Sequence, residues 1–428
     1  MTSTSRSEKY DVVIIGGGPS GASAASILAE HGRRVLVIDR DKFPRYHVGE
    51  SFIPFTYQPL ERLGLIPRLK KSHFMKKYSV SFVQPDGKRS QPFYFFNRYD
   101  RETIAQSWQV LRSEFDEMLL NNAREKGAEV LEETTVTRLL KEDGVVVGVE
   151  IKDKDGNLSE RRAAITLDCS GKEAFAAVRE GWRKRDPYLN KVAVWTYYKG
   201  SKREPGIDEG ATTVAMIPNK GWFWHIPMHN DMVSVGVVAE GKYLSRDSVR
   251  DPQAIFEREI PENKWIEDHL SQGQSTGQYW ITSEYSFHAS YCASPGLLLV
   301  GDALAFLDPV FSSGVMLALK TGVMAGDEVN RGLESGDLSP AHFTEYGAAI
   351  RLSVENMRKL VYAFYDPNFS FKDVIKRYPE AAGAITDCLS GDVNRDFSQL
   401  WEWVREFAPI PDDLPYGMPM ESELTAAS

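Results

Sequence analysis

Four groups of residues in this chain have the types and spacing to do chemistry. Gly16, Gly18 and Gly21 fit G-x-G-x-x-G, with Pro19 and Ser20 inside the motif. The first glycine allows a sharp turn, the second lets backbone approach a pyrophosphate, and the third lets a helix close on a strand. Asp39 stands where an acidic side chain accepts hydrogen bonds from ribose hydroxyls. Lys76 and Lys77 precede an alternating run, with Tyr78, Val80 and Phe82 on one side and Ser79 and Ser81 on the other. Lys77 falls in phase with the serines and Lys76 with the aromatic side, so only one of them can point into a polar cavity. Trp222 and Trp224, two apart, share one face of a strand. Asp302 follows an apolar run and Gly301, a place for a second contact to an elongated dinucleotide.

The elements that must position these groups are readable. Residues 12–15 form a continuous apolar strand, as burial on both faces demands. Pro19 suits the first turn of the following helix, which runs to about His31 and is capped by Gly32. Its N-terminus offers free N–H groups to phosphate oxygens, and residues 35–38 form the second strand. A dinucleotide therefore binds here. Residues 60–66 suggest a short helix broken by Pro67, Asp86-Gly87 a hairpin turn, and residues 108–112 a strand. Ser113 with Asp116 resembles a helix cap. Phe115, Met118, Leu119 and Ala123 then repeat at helical spacing. Residues 130–151 are strand-rich, with turns at Asp143-Gly144 and Asp155-Gly156. Residues 185–290 read mostly as antiparallel strands, with a turn at Asn230-Asp231. A buried strand at 296–300 and helices at 313–329 and 339–365 follow. The tail after Phe407 has four prolines and reads as extended and partly loose.

The chain has 428 residues, enough for two intimate domains. Its net charge of −9 argues against nucleic acid as a partner. Cys169, Cys292 and Cys388 are scattered, with neither disulfide nor metal spacing, which suits a reducing cytoplasm; no metal site is expected. The N-terminus lacks an apolar signal segment, and no run is long enough to span a membrane.

Further motifs extend this pattern. Gly49-Glu50-Ser51, Arg112, Asp168 to Gly171 and Gly301-Asp302, together with the glycine turn, resemble the flavoprotein monooxygenase fold of the p-hydroxybenzoate hydroxylase type. Residues 222–227 match W-x-W-x-I-P, the signature of flavin-dependent halogenases within that group. Lys77 resembles the family's catalytic lysine, and residues 308–314 resemble its halide loop. The resemblance runs nearly the whole chain, to residues 389–393, and is closest to the shorter halogenases of phenols and carrier-tethered pyrroles. Phe311 stands where the tryptophan halogenases carry a glutamate, the chain lacks the length they use to cover tryptophan, and Ser79 replaces the glycine that follows the lysine.

The resemblance implies an α/β fold: a Rossmann-like FAD-binding domain, an antiparallel-sheet substrate domain and a C-terminal helical region. The FAD-binding domain would take residues 1–184, with strands of 75–110 inserted on the substrate side, and 291–335. The substrate domain would take 185–290, and the helical region with its proline-rich tail 336–428. FAD would be held by Gly16, Gly18, Pro19, Ser20, Gly21, Asp39, Arg40, Arg45, Gly49, Glu50, Ser51, Arg112, Val136, Asp302 and Gly314. Ser312, Ser313 and Gly314 would bind chloride or bromide. Trp222, Trp224, Ile226 and Pro227 would wall the flavin off from the substrate. Reduced flavin (FADH2), O2 and halide would yield hypohalous acid. Lys77 would receive it, either as a neutral amine that forms a haloamine or as an ammonium that polarises it. A separate flavin reductase would supply FADH2, and the acceptor would be a small aromatic, free or on an acyl or peptidyl carrier protein. A flavin monooxygenase or a geranylgeranyl-reductase-like enzyme could share the fold, but would need neither the lysine nor the tryptophan wall. A flavin-bound sensor would bind FAD without turnover.

Overall fold

The computed structural model describes residues 9–218, 221–283 and 286–421. Strand Lys9–Ile15 runs parallel to Val35–Ile38 on one side and to Leu158–Asp168 on the other. Val12, Val13 and Ile14 are fully buried, as a parallel strand covered on both faces must be. Glu129–Leu131 and Leu297–Leu299 extend the parallel set at either side. The hairpin of Thr135–Glu142 and Val145–Lys152 adds antiparallel strands through Leu158–Asp168. Helices Pro19–Glu30, Arg112–Glu125 and Gly314–Ser335 cover this sheet and pack into the large core.

The second sheet takes the order Gln274–Ser275, Lys191–Lys199, Met232–Glu240, Gly221–Pro227, Thr212–Ile217, Ser79–Val83 and Phe93–Tyr94. Ser79–Val83 joins it by parallel pairing with Thr212–Ile217. One face, with Trp195, Val214, Trp222 and Trp224, belongs to the large core. The other, with Phe223, Val235 and Val237, is covered by helices Pro252–Glu259 and Lys264–Leu270. The expectation of strands across 185–290 overlooked these two helices. Their signals were present: Asp251 accepts from the Ala254 N–H ahead of Pro252, and Asn263 accepts from the N–H groups of Trp265 and Ile266.

Other expectations are corrected. Pro67 lies in the first turn of helix Ile66–Lys71, where its missing N–H does no harm, and a separate helix, Tyr57–Arg62, precedes it. Ser113 is not the cap: the helix starts at Arg112, and Asp116 is taken by the Arg112 and Arg45 guanidinium groups. The tail is extended but not loose as far as residue 421. Its Met418 carbonyl accepts from the Cys292 N–H, its Met420 N–H donates to Ala293, and Tyr416 is buried.

The glycine turn closes as its spacing requires. Gly16 adopts φ +99°, and a Cβ on Gly21 would lie 1.9 Å from the Gly16 carbonyl oxygen. Gly21→Val should therefore push the helix off the strand, at a cost of about 3 kcal/mol or more. Thermal denaturation should register the loss, and the purified variant should retain no flavin.

Candidate active site

Lys77 ends the short strand Met75–Lys77, which pairs with Ser107–Gln109. The chain leaves strand geometry at Tyr78 before Ser79–Val83 begins. That break resets the alternation, so Lys77 shares a cavity with Val80 and Phe82 and not with the serines, against the phase read from the sequence. Of the two neighbouring lysines, Lys76 is exposed and Lys77 is completely buried. The Lys77 Nζ donates to Ser51 Oγ and to the Phe52 carbonyl, both at 2.9 Å. The Ser51 and Thr212 hydroxyls lie 2.8 Å apart, and Gln109 Nε2 donates to Thr212 Oγ1 at 2.9 Å. No carboxylate pairs with Lys77 among the described residues, and burial alone lowers its pKa to about 7.

The cavity encloses about 520 Å³, including its mouth. Lys77, Ile53, Val80, Phe82, Phe93 and Phe95 form one side, and Thr212 and Val214 another. Val310, Phe311 and Ser312 of the proposed halide loop close a third side. Thr386, Leu389 and Ser390 of helix Ala381–Ser390 complete it, a contribution that sequence reading had not assigned. That helix is held by Asp387, which accepts from Arg98 through two bonds of 2.7 Å and from the Tyr99 hydroxyl at 2.5 Å. Phe311, in place of a glutamate, is a wall residue packed edge-on against Phe364. Ser79 turns its hydroxyl to Asp208 at 2.7 Å and does not line the cavity.

Ser312 sits in left-handed backbone at φ +57°, Ser313 is buried, and Gly314 opens helix Gly314–Ser335. The first N–H groups of that helix have no partner within it. A Cβ on Gly314 would meet nothing within 4 Å, so open space lies above the turn. Trp222 and Trp224 share a face with ring centres 6.0 Å apart, but neither lines the lysine cavity. Trp222 Nε1 donates to the Tyr365 hydroxyl at 2.8 Å, and that hydroxyl donates to Asp308 Oδ2 at 3.0 Å. Burial raises the Asp308 pKa to about 6. This link from indole to loop had no sequence signal, because its members lie far apart in the chain. Ile226 is buried in the same core, and Pro227 ends the strand. His225 faces the other way, against Trp265 and His269; burial lowers its pKa to about 3, so it stays neutral there.

The nucleotide side uses backbone more than side chains. Asp39 accepts from the Gly17 N–H at 2.7 Å and from the Asp41 N–H at 2.9 Å, fixing the turn; burial raises its pKa. Arg45 stands over Gly18, where its Nη2 would lie 3.4 Å from an added Cβ. Pro19 is at the first helical position, Ser20 is buried beneath the turn, and Val136 is buried in the core beside Ile38. Arg40 is half-exposed and paired with Glu173. Glu50 accepts from the Tyr197 hydroxyl at 2.5 Å, and burial raises its pKa. Arg112 spends its guanidinium on Asp116 and on the Val48 carbonyl. Among the resemblance's cofactor residues, Glu50, Ser51 and Arg112 thus have side chains engaged within the protein. Burial raises the Asp302 pKa to about 7, against the opposing pull of Arg112 and Lys172. The free helix-start N–H groups, the space above Gly314 and the acid at the end of the second strand together fit an FAD.

Known proteins resemble this chain in sequence and in fold. Residues 11–97 and 96–373 match the family described as Tryptophan halogenase. The chain is 27% identical over 406 residues to the 1H-pyrrole-2-carbonyl-(peptidyl-carrier protein) chlorinase of Pseudomonas fluorescens, covering 90% of this chain and 89% of that one. It is 31% identical over 335 residues to the 1H-pyrrole-2-carbonyl-(peptidyl-carrier protein) brominase of Pseudoalteromonas luteoviolacea, covering 77% and 79%. The myxobacterial chondrochloren halogenase CndH, a new variant of FAD-dependent halogenases, superimposes with a TM-score of 0.79 at 29% identity, over 94% of this chain and 96% of that one. None of the described helices is long and apolar enough to cross a membrane. A family match over most of the sequence, on a fold shared with FAD-dependent enzymes, places this chain among the flavin-dependent halogenases.

Proposed function

We propose that this halogenase transfers the halogen through a neutral Lys77 amine to an uncharged electron-rich ring, a pyrrole or phenol carried as a thioester on an acyl or peptidyl carrier protein. The observation that carries the reading is the hydrogen-bond count at Nζ. A neutral amine has two N–H donors and one lone pair. Two acceptors, Ser51 Oγ and the Phe52 carbonyl, use both donors and leave the lone pair for the cavity. A buried ammonium would keep a third N–H with no oxygen or nitrogen acceptor among the described residues, only the face of the Phe95 ring 5.6 Å away, a weaker partner than a hydrogen-bond acceptor.

Bound reduced FAD supplies, with O2, the two-electron oxidising equivalent that turns halide into hypohalous acid. Backbone N–H groups at Ser313 and Gly314 suit the halide, since they bring partial positive charge without a competing acid. The Lys77 lone pair takes the halogen from hypohalous acid; its N–H proton and the hydroxyl leave as water. The ring carbon then attacks the N–halogen bond, the halogen passes to carbon, and the displaced ring proton returns to the amine. Lys77 is the only charged or ionisable side chain lining the cavity, which favours an uncharged ring over an amino-acid zwitterion. The two carrier-protein relatives support tethering. We further propose that a separate reductase delivers FADH2, because the sequence has one G-x-G-x-x-G turn and it serves FAD.

Lys77→Ala should retain FAD and still release peroxide while forming no halogenated product. Mass spectrometry of reactions with a flavin reductase, NADH, O2 and chloride or bromide reads this against carrier-bound pyrroles, carrier-bound phenols and free phenols. Halogenation retained in the variant would remove Lys77 from the mechanism, and turnover by free phenols alone would remove the carrier. With NADH and FAD but no reductase, wild-type turnover should vanish and should return with chemically reduced FAD.

The amine also sets a pH dependence of stability. Its folded pKa of about 7 lies below the usual lysine value of 10.5. Between those values the unfolded chain binds the extra proton, so stability rises with pH, and the buried charge costs most below about pH 7. Lys77→Met should therefore be more stable than wild type at pH 6, by about 1–3 kcal/mol after the lost hydrogen bonds are set against the relieved burial. Its advantage should shrink toward pH 10. Denaturant melts across that range check the trend, and a variant less stable at pH 6 would contradict it.

A further inference from the structure

Away from the lysine cavity, three residues distant in sequence converge. His73 lies in the link between helix Ile66–Lys71 and strand Met75–Lys77. Glu114 is in the first turn of helix Arg112–Glu125. His229 is in the turn that joins Gly221–Pro227 to Met232–Glu240. Glu114 Oε2 lies 2.8 Å from His73 Nε2, and Glu114 Oε1 lies 3.3 Å from His229 Nε2. The two imidazole rings are 4.3 Å apart, and one ligand atom from each of the three residues falls within 4.8 Å of the others. The Phe74 ring packs against both imidazoles. His229 is buried; its Nε2 meets Glu114, and its Nδ1 has no hydrogen-bond partner among the described residues. His73 is 64% exposed and leaves an entry path from solvent.

We propose that His73, Glu114 and His229 form a binding site for a zinc-type divalent cation. Two imidazole nitrogens and one carboxylate oxygen are borderline donors that suit zinc, whereas calcium and magnesium favour sets made of oxygen alone. Tetrahedral zinc with bonds of about 2.0 Å needs ligand atoms about 3.3 Å apart. The Glu114–His229 distance already meets that figure. The exposed His73 ring supplies the remaining adjustment, and water fills the fourth position. Zinc has no redox chemistry, so it can sit in a protein that handles oxidants.

The ion would join three parts of the molecule that serve the halogenation site. His73 lies four residues before Lys77, Glu114 two residues after Arg112, and His229 two residues after Pro227 at the end of the Trp222–Trp224 strand. The site would therefore clamp the substrate sheet to the helix beside the nucleotide turn. Cysteine spacing carried no sign of it, because its ligands come from three elements and none is a cysteine.

The test is zinc chloride titration of untagged, chelator-treated holoenzyme by calorimetry, with cobalt chloride as a visible-absorption probe. One zinc per chain should bind in the micromolar range or tighter, cobalt should give ligand-field bands, and zinc should raise the melting temperature. His73→Asn, His229→Asn and Glu114→Gln should each weaken binding at least about tenfold and abolish the thermal shift. FAD content and far-ultraviolet circular dichroism report whether each variant folds, and the exposed position of His73 keeps one variant informative if a buried substitution disrupts folding. Absence of saturable binding in the micromolar range, or binding unchanged in a folded His73→Asn, would overturn the proposal.

Discussion

A lysine buried without a carboxylate is the constraint on which the site depends. An ammonium in that position would be costly, so the protein either neutralises the amine or surrounds it with acceptors. Here two neutral acceptors, one hydroxyl and one carbonyl, face Nζ. Both come from the segment after Gly49-Glu50, whose neighbouring Val48 and Gly49 carbonyls accept from Arg112. The amine is therefore held by a loop that Arg112 ties to helix Arg112–Glu125, while its own strand is anchored through Ser107–Gln109. Ser51, expected at the cofactor, joins the lysine to Thr212 through its hydroxyl and so to the second sheet.

The same economy recurs where the two sheets meet. Glu50 is tied to Tyr197 and Trp222 to Asp308 through Tyr365, so each contact crosses from the sheet to a loop of the first layer. The Glu50–Tyr197 bond is buried and the other two are partly so, in surroundings where a satisfied polar pair fixes geometry and an unsatisfied one is costly. Arg112 is closed by Asp116 in a pair that is itself buried. With those side chains engaged, and with Asp39 itself accepting from the Gly17 and Asp41 N–H groups, backbone N–H groups at the glycine turn would be the donors left for a dinucleotide.

The glycine turn, its helix and the parallel strands were legible because their signals are local. Spacing, apolar runs and caps each lie within a few residues. Lys77 was also legible as one of a pair, but its face was misread: period-2 alternation holds only while the strand continues, and Tyr78 interrupts it. The helices at 252–259 and 264–270 carry local signals in their Asp-Pro and Asn caps, set within a strand-rich stretch. Thr212, Gln109, Tyr365 and the Ala381–Ser390 helix were not legible. Their roles arise from contacts across the chain, such as the 143-residue separation between Trp222 and Tyr365.

Under the proposed transfer through Lys77, the composition of the cavity wall would give the amine its selectivity. Hypohalous acid attacks thiols, thioethers, indoles, phenols, imidazoles and amines. The lining holds no cysteine, methionine, tryptophan, tyrosine or histidine; beside Lys77 it has only aliphatic, phenylalanine, serine and threonine side chains. The three cysteines are buried elsewhere, and the tryptophan pair stands outside the cavity with both indole N–H groups hydrogen-bonded. In such a space a diffusing oxidant would meet one good nucleophile, and a substantial share of that amine is uncharged near neutral pH because burial has lowered its pKa to about 7. Phe311 fits the same logic: it is a buried apolar ring in the cavity wall and would keep charge away from the proposed path between halide and amine. The proposed transfer to the lysine would then require no specific recognition of hypohalous acid, only the exclusion of every competing acceptor.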